Sequence, residues 1–236
     1  MELYITPKKI IEMTFENNIP EIPETVYIIF QKSLFKRLEK NFKFEKVKST
    51  RGDFYIEKNK KFGVVTNIGI GESTCSMLAE ELSFLGVKKV IAFGMVGGLN
   101  DKFRIGDIVI VEKSLSQSNI ADIYEYTGDE ILTSSKQNDE IVKKITDSNK
   151  IDFVKCISVP TIYRETTKEI EKARQKGVDI IDMEVFSLSL VFFLRDVDFS
   201  AIGCISDILD KEGWSFESDF KNVFDNLEKS FMNLVK

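Results

Sequence analysis

Short apolar runs rich in β-branched and aromatic residues alternate along this chain with segments of helical periodicity. The run "VYIIF", residues 26–30, precedes "QKSLFKRLEKNF", in which Leu34, Leu38 and Phe42 recur at helical spacing. This order continues without an internal repeat, a low-complexity tract or a proline-rich linker. Alternation of this kind is typical of βαβ units, so the sequence predicts a three-layer α/β/α sandwich with a mostly parallel central mixed sheet. We expect a single domain over residues 1–236.

The same patterns predict the remaining elements. Strands are predicted in "GDFYI" and "FGVVTN", on either side of a charged turn at 58–61, and in "VKKVIAF", "GDIVIV", "FVKCISV", "VDIIDM" and "FSAIGCIS". Helices are predicted from the cap Ser73 to Gly86, in "TTKEIEKARQKG", in the apolar segment "EVFSLSLVFFLRD", and from Phe220 to Leu234. Residues 114–140 are polar and poorly periodic, which indicates a surface excursion with some helix at its end.

Composition disfavours several classes of partner. The net charge is −5 and lysines are spread among acidic residues, so we expect no nucleic-acid partner. The most apolar segment, "MEVFSLSLVFFL", is too short to span a bilayer, so we expect no membrane association. The three cysteines are widely separated and odd in number, which favours buried reduced thiols and a cytoplasmic location.

Histidine is absent from the sequence. Its absence excludes Ser-His-Asp and Cys-His nucleophilic systems and any metal site built on imidazole. We therefore expect no metal, and we expect catalysis to rely on carboxylates, hydroxyls, backbone amides or cationic side chains.

Two glycine clusters follow successive strand-like runs, "TNIGIGEST" at 66–74 and "FGMVGG" at 93–98. We predict that both are turns at the carboxyl ends of strands, where ligands bind in open α/β sheets. The first cluster also matches part of a dinucleotide-binding fingerprint, but it lacks the third glycine, and the next strand runs into Ala92 and Phe93 rather than an acidic residue. A tight strand-to-helix turn without a binding role is the structural alternative.

These motifs together resemble the nucleoside phosphorylase and nucleosidase superfamily, of the purine nucleoside phosphorylase and uridine phosphorylase type, which cleaves the N-glycosidic bond of nucleosides. The resemblance extends from about Val26 to the C-terminus. It rests on the Gly-Ile-Gly turn followed by "EELSFLGVKKVI", the second glycine cluster followed by "GDIVIV", the pair Met183 and Glu184, and the pair Ser206 and Asp207. The fold that it implies is the nucleoside phosphorylase fold.

The resemblance implies two catalytic carboxyls. Departure of a base from a ribosyl carbon creates an oxocarbenium-like centre, which requires a hold on the sugar hydroxyls and a proton for the base. Glu184 would accept hydrogen bonds from the ribose hydroxyls, and Met183 would pack under the sugar. Asp207 would protonate or hydrogen-bond a purine at N7. The structural alternatives are a carboxylate at a helix N-terminus for Glu184 and a cap after the strand for Asp207.

The resemblance also implies further substrate contacts. "SVPTIY" corresponds to the segment that carries the base-stacking aromatic residue, with Pro160 in place of an aspartate. A histidine that reaches the ribose of a neighbouring subunit is replaced by Tyr4, so the resemblance implies a homo-oligomer, either a dimer or a trimer of dimers. The implied substrate-binding residues outside the two carboxyls are Gly71, Met95, Gly97, Ile162, Tyr163, Met183 and Tyr4.

The phosphate-binding residues of the family are replaced in this chain. Phe30 and Leu34 stand where a glycine and an arginine would hold phosphate after the first strand, and Ala92 and Met95 replace an arginine and a hydroxyl residue at the second cluster. A dianion without guanidinium or hydroxyl partners is poorly stabilised. Arg51 is offset by about one residue from the position from which the family sends an arginine to a neighbour.

The hydrolytic members of the family activate water with a glutamate in the turn after the first strand, where this chain offers Gln31, Lys32 and Ser33. The resemblance therefore implies cleavage of a purine-type nucleoside, with the acceptor left open between phosphate as a co-substrate and water, and with no organic cofactor. The alternative is a degenerate relative that binds a nucleoside or a related metabolite without turnover.

Overall fold

The computed structural model describes residues 3–16, 18–59, 61–145 and 151–236. The strands are β1 (Thr25–Ile29), β2 (Phe44–Val47), β3 (Asp53–Glu57), β4 (Gly63–Thr66), β5 (Lys89–Gly98), β6 (Ile108–Ser116), β7 (Ile131–Leu132), β8 (Asp152–Ser158), β9 (Ile180–Asp182), β10 (Asp198–Leu209) and β11 (Trp214–Phe216). The helices are α1 (Pro7–Phe15), α2 (Lys32–Leu38), α3 (Glu72–Phe84), α4 (Ile120–Ile123), α5 (Ser135–Ile145), α6 (Thr167–Gln175), α7 (Val185–Leu194) and α8 (Lys221–Val235).

All the strands belong to one mixed sheet, which confirms the predicted α/β fold. Parallel pairs join β4, β1, β5 and β10 in that order, and they also join β6, β8 and β9. Antiparallel pairs add β3 and β2 at one edge and link the two parallel groups, β10 to β6 and β5 to β9. These pairings form a closed ring of five strands in the order β5, β10, β6, β8, β9 and back to β5. The central sheet of a simple sandwich is open and has no such ring.

Helices cover both faces of the central strand β5, and its side chains alternate between them. Val90 and Ala92 pack in the apolar cluster under α3 and α7. Ile91 and Phe93 pack in the second cluster, with α2, α5 and α8. Because successive strand residues point to opposite faces, a strand buried on both sides reads as the continuous apolar run seen in the sequence.

The predicted turn at 93–98 is wrong, because β5 continues through the second glycine cluster to Gly98. Glycine is required here by close packing. A Cβ atom on Gly97 would lie 2.8 Å from the Ile181 side chain, and one on Gly94 would lie 3.2 Å from the Phe30 ring. The glycines therefore let the side chains of Ile181 and Phe30 approach β5 closely, and they do not end the strand.

The first glycine cluster is a turn, as predicted, and links β4 to α3. Gly69 and Gly71 have φ values of +90° and +100°, which favour glycine strongly. The prediction that Ser73 caps the helix is wrong, because Gly71 occupies the N-cap position and α3 begins at Glu72. The helix therefore starts at the turn itself.

Other parts of the chain also differ from the sequence prediction. The pattern missed α1, β2 and β11. Residues 114–140 contain the end of β6, α4, β7 and the start of α5, and α2 ends at Leu38, before Phe42. Among the residues that the structure describes, no helix is long and apolar enough to cross a membrane.

Candidate functional site

A cavity of about 790 Å³ lies at the carboxyl ends of several strands. Its walls come from the segments that follow β1, β4 and β8, from the second half of β5, and from the ends of β9 and β10. The residues of this cavity that the sequence singled out are Met95, Gly97, Ile162, Tyr163, Met183, Glu184 and Asp207. Both predicted carboxyls therefore line the same cavity.

Glu184 lies at the junction of β9 and α7. Its Oε1 accepts a hydrogen bond of 2.8 Å from the backbone N–H of Gly71. Burial, and the negative charge of Asp182 beside it, raise the pKa of Glu184 to about 8. The bond from Gly71 fixes one oxygen of this carboxyl and leaves the other oxygen unconstrained by it.

Asp182 holds the junction in place through both of its oxygens. Oδ1 accepts from Ser158 Oγ at 2.6 Å and from Cys156 Sγ at 3.2 Å. Oδ2 accepts from the backbone N–H groups of Val185 at 2.7 Å and Glu184 at 3.1 Å. Burial raises the pKa of Asp182, while these four donors stabilise its charged form. Asp182 is thus a structural anion that orients the Glu184 backbone.

A third carboxyl, Glu72, lies beside these two at the start of α3. It is only 6% exposed, and its Oε2 accepts from Ser116 Oγ at 2.8 Å. Its Oε1 is buried and has no hydrogen-bond partner among the described residues. Burial raises the pKa of Glu72, and its proximity adds to the elevation of the pKa of Glu184. Glu72 does not line the cavity, so it acts on the site through its charge.

Asp207 lies near the end of β10, just past a register shift in its pairing with β5. Ser206 Oγ donates to its Oδ1 at 2.5 Å, and the indole N–H of Trp214 donates to its Oδ2 at 2.8 Å. Trp214 belongs to β11 and stacks on Phe216, with ring centroids 4.4 Å apart. These two contacts, one on each oxygen, fix the orientation of the Asp207 carboxyl.

Glu165 is a cavity carboxyl that the sequence reading missed. It follows a single 3₁₀ turn, Ile162–Arg164, and lines the cavity together with Asp207. Burial, and then the charge of Asp207, raise the pKa of Glu165 to about 7. The sequence feature that could have identified Glu165 is its position two residues after "SVPTIY", the segment expected to contact the base. Trp214 and Phe216 were also missed, because the short strand that carries them shows no clear periodicity.

Two of the predicted substrate-binding residues do not line this cavity. Gly71 acts through its bond to Glu184. Tyr4 lies ahead of α1 and is 96% exposed. Its contact with a neighbouring subunit stays a prediction.

The end of the cavity beside β1 corresponds to the replaced phosphate-binding residues. Phe30 and Gln31 line it, whereas Leu34 is fully buried in the core under α2. Gln31 Oε1 is buried without a hydrogen-bond partner among the described residues. A buried carbonyl oxygen of this kind favours a ligand or a water as a donor.

The described residues that line the cavity include acidic but not basic side chains. No lysine or arginine lines it in the described part of the chain, while Glu165, Asp182, Glu184 and Asp207 do. Arg51 is held elsewhere, because its guanidinium donates to Glu81 at 3.0 Å. The electrostatic character of the cavity therefore opposes a free dianion.

Comparisons with known proteins agree with this architecture. The family model described as the phosphorylase superfamily matches residues 28–236. The chain is 23% identical over 227 residues to a DeoD-type purine nucleoside phosphorylase of Alkaliphilus metalliredigens, covering 92% of this chain and 96% of that protein. It is 27% identical over 158 residues to the uncharacterized protein R802 of Acanthamoeba polyphaga mimivirus, covering 66% of this chain and 61% of the viral protein.

Among solved structures, the fold is similar to that of the 5'-methylthioadenosine/S-adenosyl homocysteine nucleosidase of Campylobacter jejuni. The TM-score is 0.74 at 19% identity, and the superposition covers 89% of this chain and 96% of the nucleosidase. At this identity the likeness shows the fold alone.

Proposed function

This chain belongs to the phosphorylase superfamily, and from that membership we propose that it cleaves the N-glycosidic bond of a purine-type nucleoside. Superfamily members are nucleoside phosphorylases and nucleosidases, which are enzymes of the glycosyltransferase or glycosidase type. The observation that carries the proposal is that Glu184, at the junction of β9 and α7, and Asp207, near the end of β10, line one cavity together with Met183. A nucleoside needs such recognition at both its sugar and its base.

Glu184 binds the ribose in this proposal. Its Oε1 is fixed by Gly71, which leaves Oε2 for the sugar hydroxyls. As positive charge develops on the ribosyl carbon, a carboxyl that accepts hydrogen bonds from the sugar hydroxyls stabilises the transition state more than the ground state. Met183 supplies the apolar surface under the sugar ring, and Ile162 and Tyr163 supply the wall for the base.

We propose that the acceptor is water. The absence of lysine and arginine from the described cavity lining, and the burial of Leu34 in the core, support this choice over phosphate. Phosphate close to several carboxyls and without a guanidinium partner would be repelled. The unpartnered Oε1 of Gln31 is suited to accept a hydrogen bond from the attacking water and orient it.

One observation favours a second candidate, a relative that binds nucleosides without cleaving them. Gln31 cannot take a proton from water, because a carboxamide is not a base. An oxocarbenium-like centre is nevertheless a strong electrophile, so an oriented water needs less activation than in acyl transfer. The two candidates differ in turnover and not in binding.

We also propose that the protein is a homo-oligomer that acts in purine salvage in the cytoplasm. The N-terminal segment exposes Leu3, Tyr4, Ile5 and Met13, which supports burial against another subunit. The three cysteines are buried and unpaired, which fits a reducing compartment. Light scattering measures the number of subunits directly, and a monomer at micromolar concentration would contradict the oligomer.

The proposed activity is tested with a panel of purine nucleosides, with and without phosphate. Free base and the sugar product are followed by chromatography, and binding is followed by calorimetry. We expect free base and ribose at the same rate in both buffers. A requirement for phosphate, with a ribose phosphate as the product, would contradict water as the acceptor. Binding without base release at high enzyme concentration would favour the second candidate.

A further inference from the structure

We propose that the two aromatic side chains of β11, Trp214 and Phe216, form an apolar subsite at the base end of the cavity. Its ligand is a neutral apolar group carried on the exocyclic amine of a purine nucleoside. The inference rests on the proposed function, because it names the class of nucleoside that binds in the same site.

The register of the sheet places β11 beyond Asp207 as seen from Glu184. Asp207 of β10 pairs with Phe216 of β11 on one side and with Gly97 of β5 on the other. Gly97 in turn pairs with Ile181 of β9, the strand that leads to Glu184. The four strands therefore lie in the order β11, β10, β5, β9. A nucleoside with its ribose at Glu184 and its base at Asp207 extends the outer edge of the base toward β11.

Side-chain alternation turns both rings of β11 toward the cavity. Trp214 and Phe216 are two positions apart on a strand, so they share one face, and Ser215 between them points to the other. Antiparallel partners also share a face, which adds Asp207 and Leu209 of β10 to the same side. All of these side chains except Ser215 line the cavity. The subsite is thus a continuation of the nucleoside cavity and not a separate surface groove.

The rings of Trp214 and Phe216 present apolar surface that the described residues leave open. The two rings stack with centroids 4.4 Å apart, and the residues are 64% and 51% exposed. The indole N–H donates to Asp207 Oδ2 at 2.8 Å, which fixes the pair beside the carboxyl expected to contact the base. Exposed apolar surface that continues a ligand cavity indicates a binding surface for an apolar group.

The chemistry of a purine directs a substituent to this surface. The exocyclic group at C6 is adjacent to N7, the ring atom that Asp207 is expected to contact. A group on the C6 amine therefore passes Asp207 and packs against the two rings of β11, and aromatic side chains pack well against a further ring. Glu165 lies close enough to Asp207 for its pKa to be raised by that charge, so this end of the cavity disfavours an anionic substituent.

The test measures kcat/KM and Kd for adenosine and for three derivatives, N6-benzyladenosine, N6-carboxymethyladenosine and 5′-O-benzyladenosine. We expect the wild type to prefer N6-benzyladenosine to adenosine about 10-fold or more, because the benzyl group buries apolar area against β11. N6-carboxymethyladenosine should be poorer than adenosine. No preference for the N6-benzyl group, an equal gain from the carboxymethyl group, or a larger gain from the 5′-O-benzyl group would each overturn the inference.

Phe216→Ala removes one ring of the subsite and leaves the partners of the bond between Trp214 and Asp207 unchanged. We expect the preference for N6-benzyladenosine over adenosine to fall about 5-fold or more in this variant. Phe153→Ala, an exposed phenylalanine of β8 outside the cavity, is the control and should keep the wild-type preference. The preference is a ratio measured on one preparation, so a loss of folded protein does not change it. A wild-type preference in Phe216→Ala would overturn the inference.

The two measurements separate this inference from the proposed function. Tighter binding of N6-benzyladenosine than of adenosine, reduced in Phe216→Ala but without release of base from any nucleoside, would support the subsite and contradict cleavage. Release of base from both nucleosides with equal kcat/KM and equal Kd would overturn the subsite and leave the proposed function standing.

Discussion

The backbone N–H of Gly71 donates to Oε1 of Glu184 across 2.8 Å, joining residues 113 positions apart in the sequence. This bond connects the turn after β4 to the junction between β9 and α7. Because the donor is a backbone group held by a left-handed glycine, the carboxyl is oriented without a competing side chain. The relationship gives the glycine turn a role in the site that does not require contact with the ligand.

Replacing Gly71 should therefore affect both stability and activity. Gly71→Ala puts a Cβ on a residue with φ of +100°, although no atom lies within 4 Å of that position. We expect the free energy of unfolding to fall by about 1–2 kcal/mol from backbone strain alone. We also expect kcat/KM to fall about 10-fold as the N–H moves away from Glu184. Denaturant unfolding and base release measure the two effects.

Gly86→Ala is the matched control. Gly86 has φ of +87° and equally open surroundings, but it lies after α3 and away from the cavity. It should lose similar stability and keep full activity. Equal losses of activity in both variants would contradict a specific role for the bond between Gly71 and Glu184.

Glu184→Gln should stabilise the fold and abolish turnover. The raised pKa means that the folded protein retains a proton that the unfolded chain releases, so wild-type stability falls as pH rises from about 4.5 to about 8. Glutamine does not titrate, so the variant lacks this loss. After allowance for relaxation of the structure around the carboxyl, we expect Glu184→Gln to be more stable than the wild type by about 1–3 kcal/mol at pH 8. The two proteins should be equally stable near pH 4. Urea unfolding at both pH values measures the difference, and a pH-independent difference would contradict the assignment.

Trp214→Phe should slow catalysis with little effect on folding. The substitution removes the indole N–H from Asp207 but keeps a ring against Phe216. Trp214 is 64% exposed, so the free energy of unfolding should change by less than about 0.5 kcal/mol. We expect kcat/KM to fall about 3- to 10-fold, because Asp207 loses one hydrogen bond that orients its carboxyl. Phe193→Leu, another exposed aromatic outside the cavity, serves as the control and should keep wild-type kcat/KM.

Gln31→Leu tests the orientation of water. The change removes the unpartnered Oε1 while approximately preserving side-chain volume. We expect kcat for hydrolysis to fall about 10-fold or more, since a misplaced nucleophile loses the benefit of orientation. Removal of an unsatisfied buried carbonyl should leave stability unchanged or slightly higher. Lys32→Met, an exposed neighbour outside the cavity lining, should have wild-type kinetics. An unchanged rate in Gln31→Leu would rule out this role.

Much of the fold could be predicted from the sequence because buried strands and amphipathic helices leave periodic patterns. The second glycine cluster could not, because glycine serves both turns and close packing, and only the Ile181 and Phe30 side chains opposite β5 distinguish the two. The strand β11 was missed because its three exposed residues are too few for an alternating pattern to be recognised.

The residues of the candidate site also fall into two groups, those that the sequence predicted and those that it did not. Glu184 and Asp207 stand in short motifs that could be compared with a family, and the structure brings both to one cavity. Glu165 and Trp214 reach that cavity through a 3₁₀ turn and a hairpin, whose geometry local sequence patterns do not encode. The cluster of Glu72, Asp182 and Glu184 likewise depends on contacts between distant segments.

The central claim is that Glu184 and the pair Asp207 and Glu165 recognise opposite ends of one nucleoside. A crystal structure with a purine-like C-nucleoside, whose sugar and base are joined by an uncleavable carbon–carbon bond, tests it most directly. We expect ribose hydroxyls within about 2.6–3.2 Å of the Glu184 carboxyl and the heterocycle between Asp207 and Glu165. A ligand bound in the reverse orientation, or outside this cavity, would contradict it.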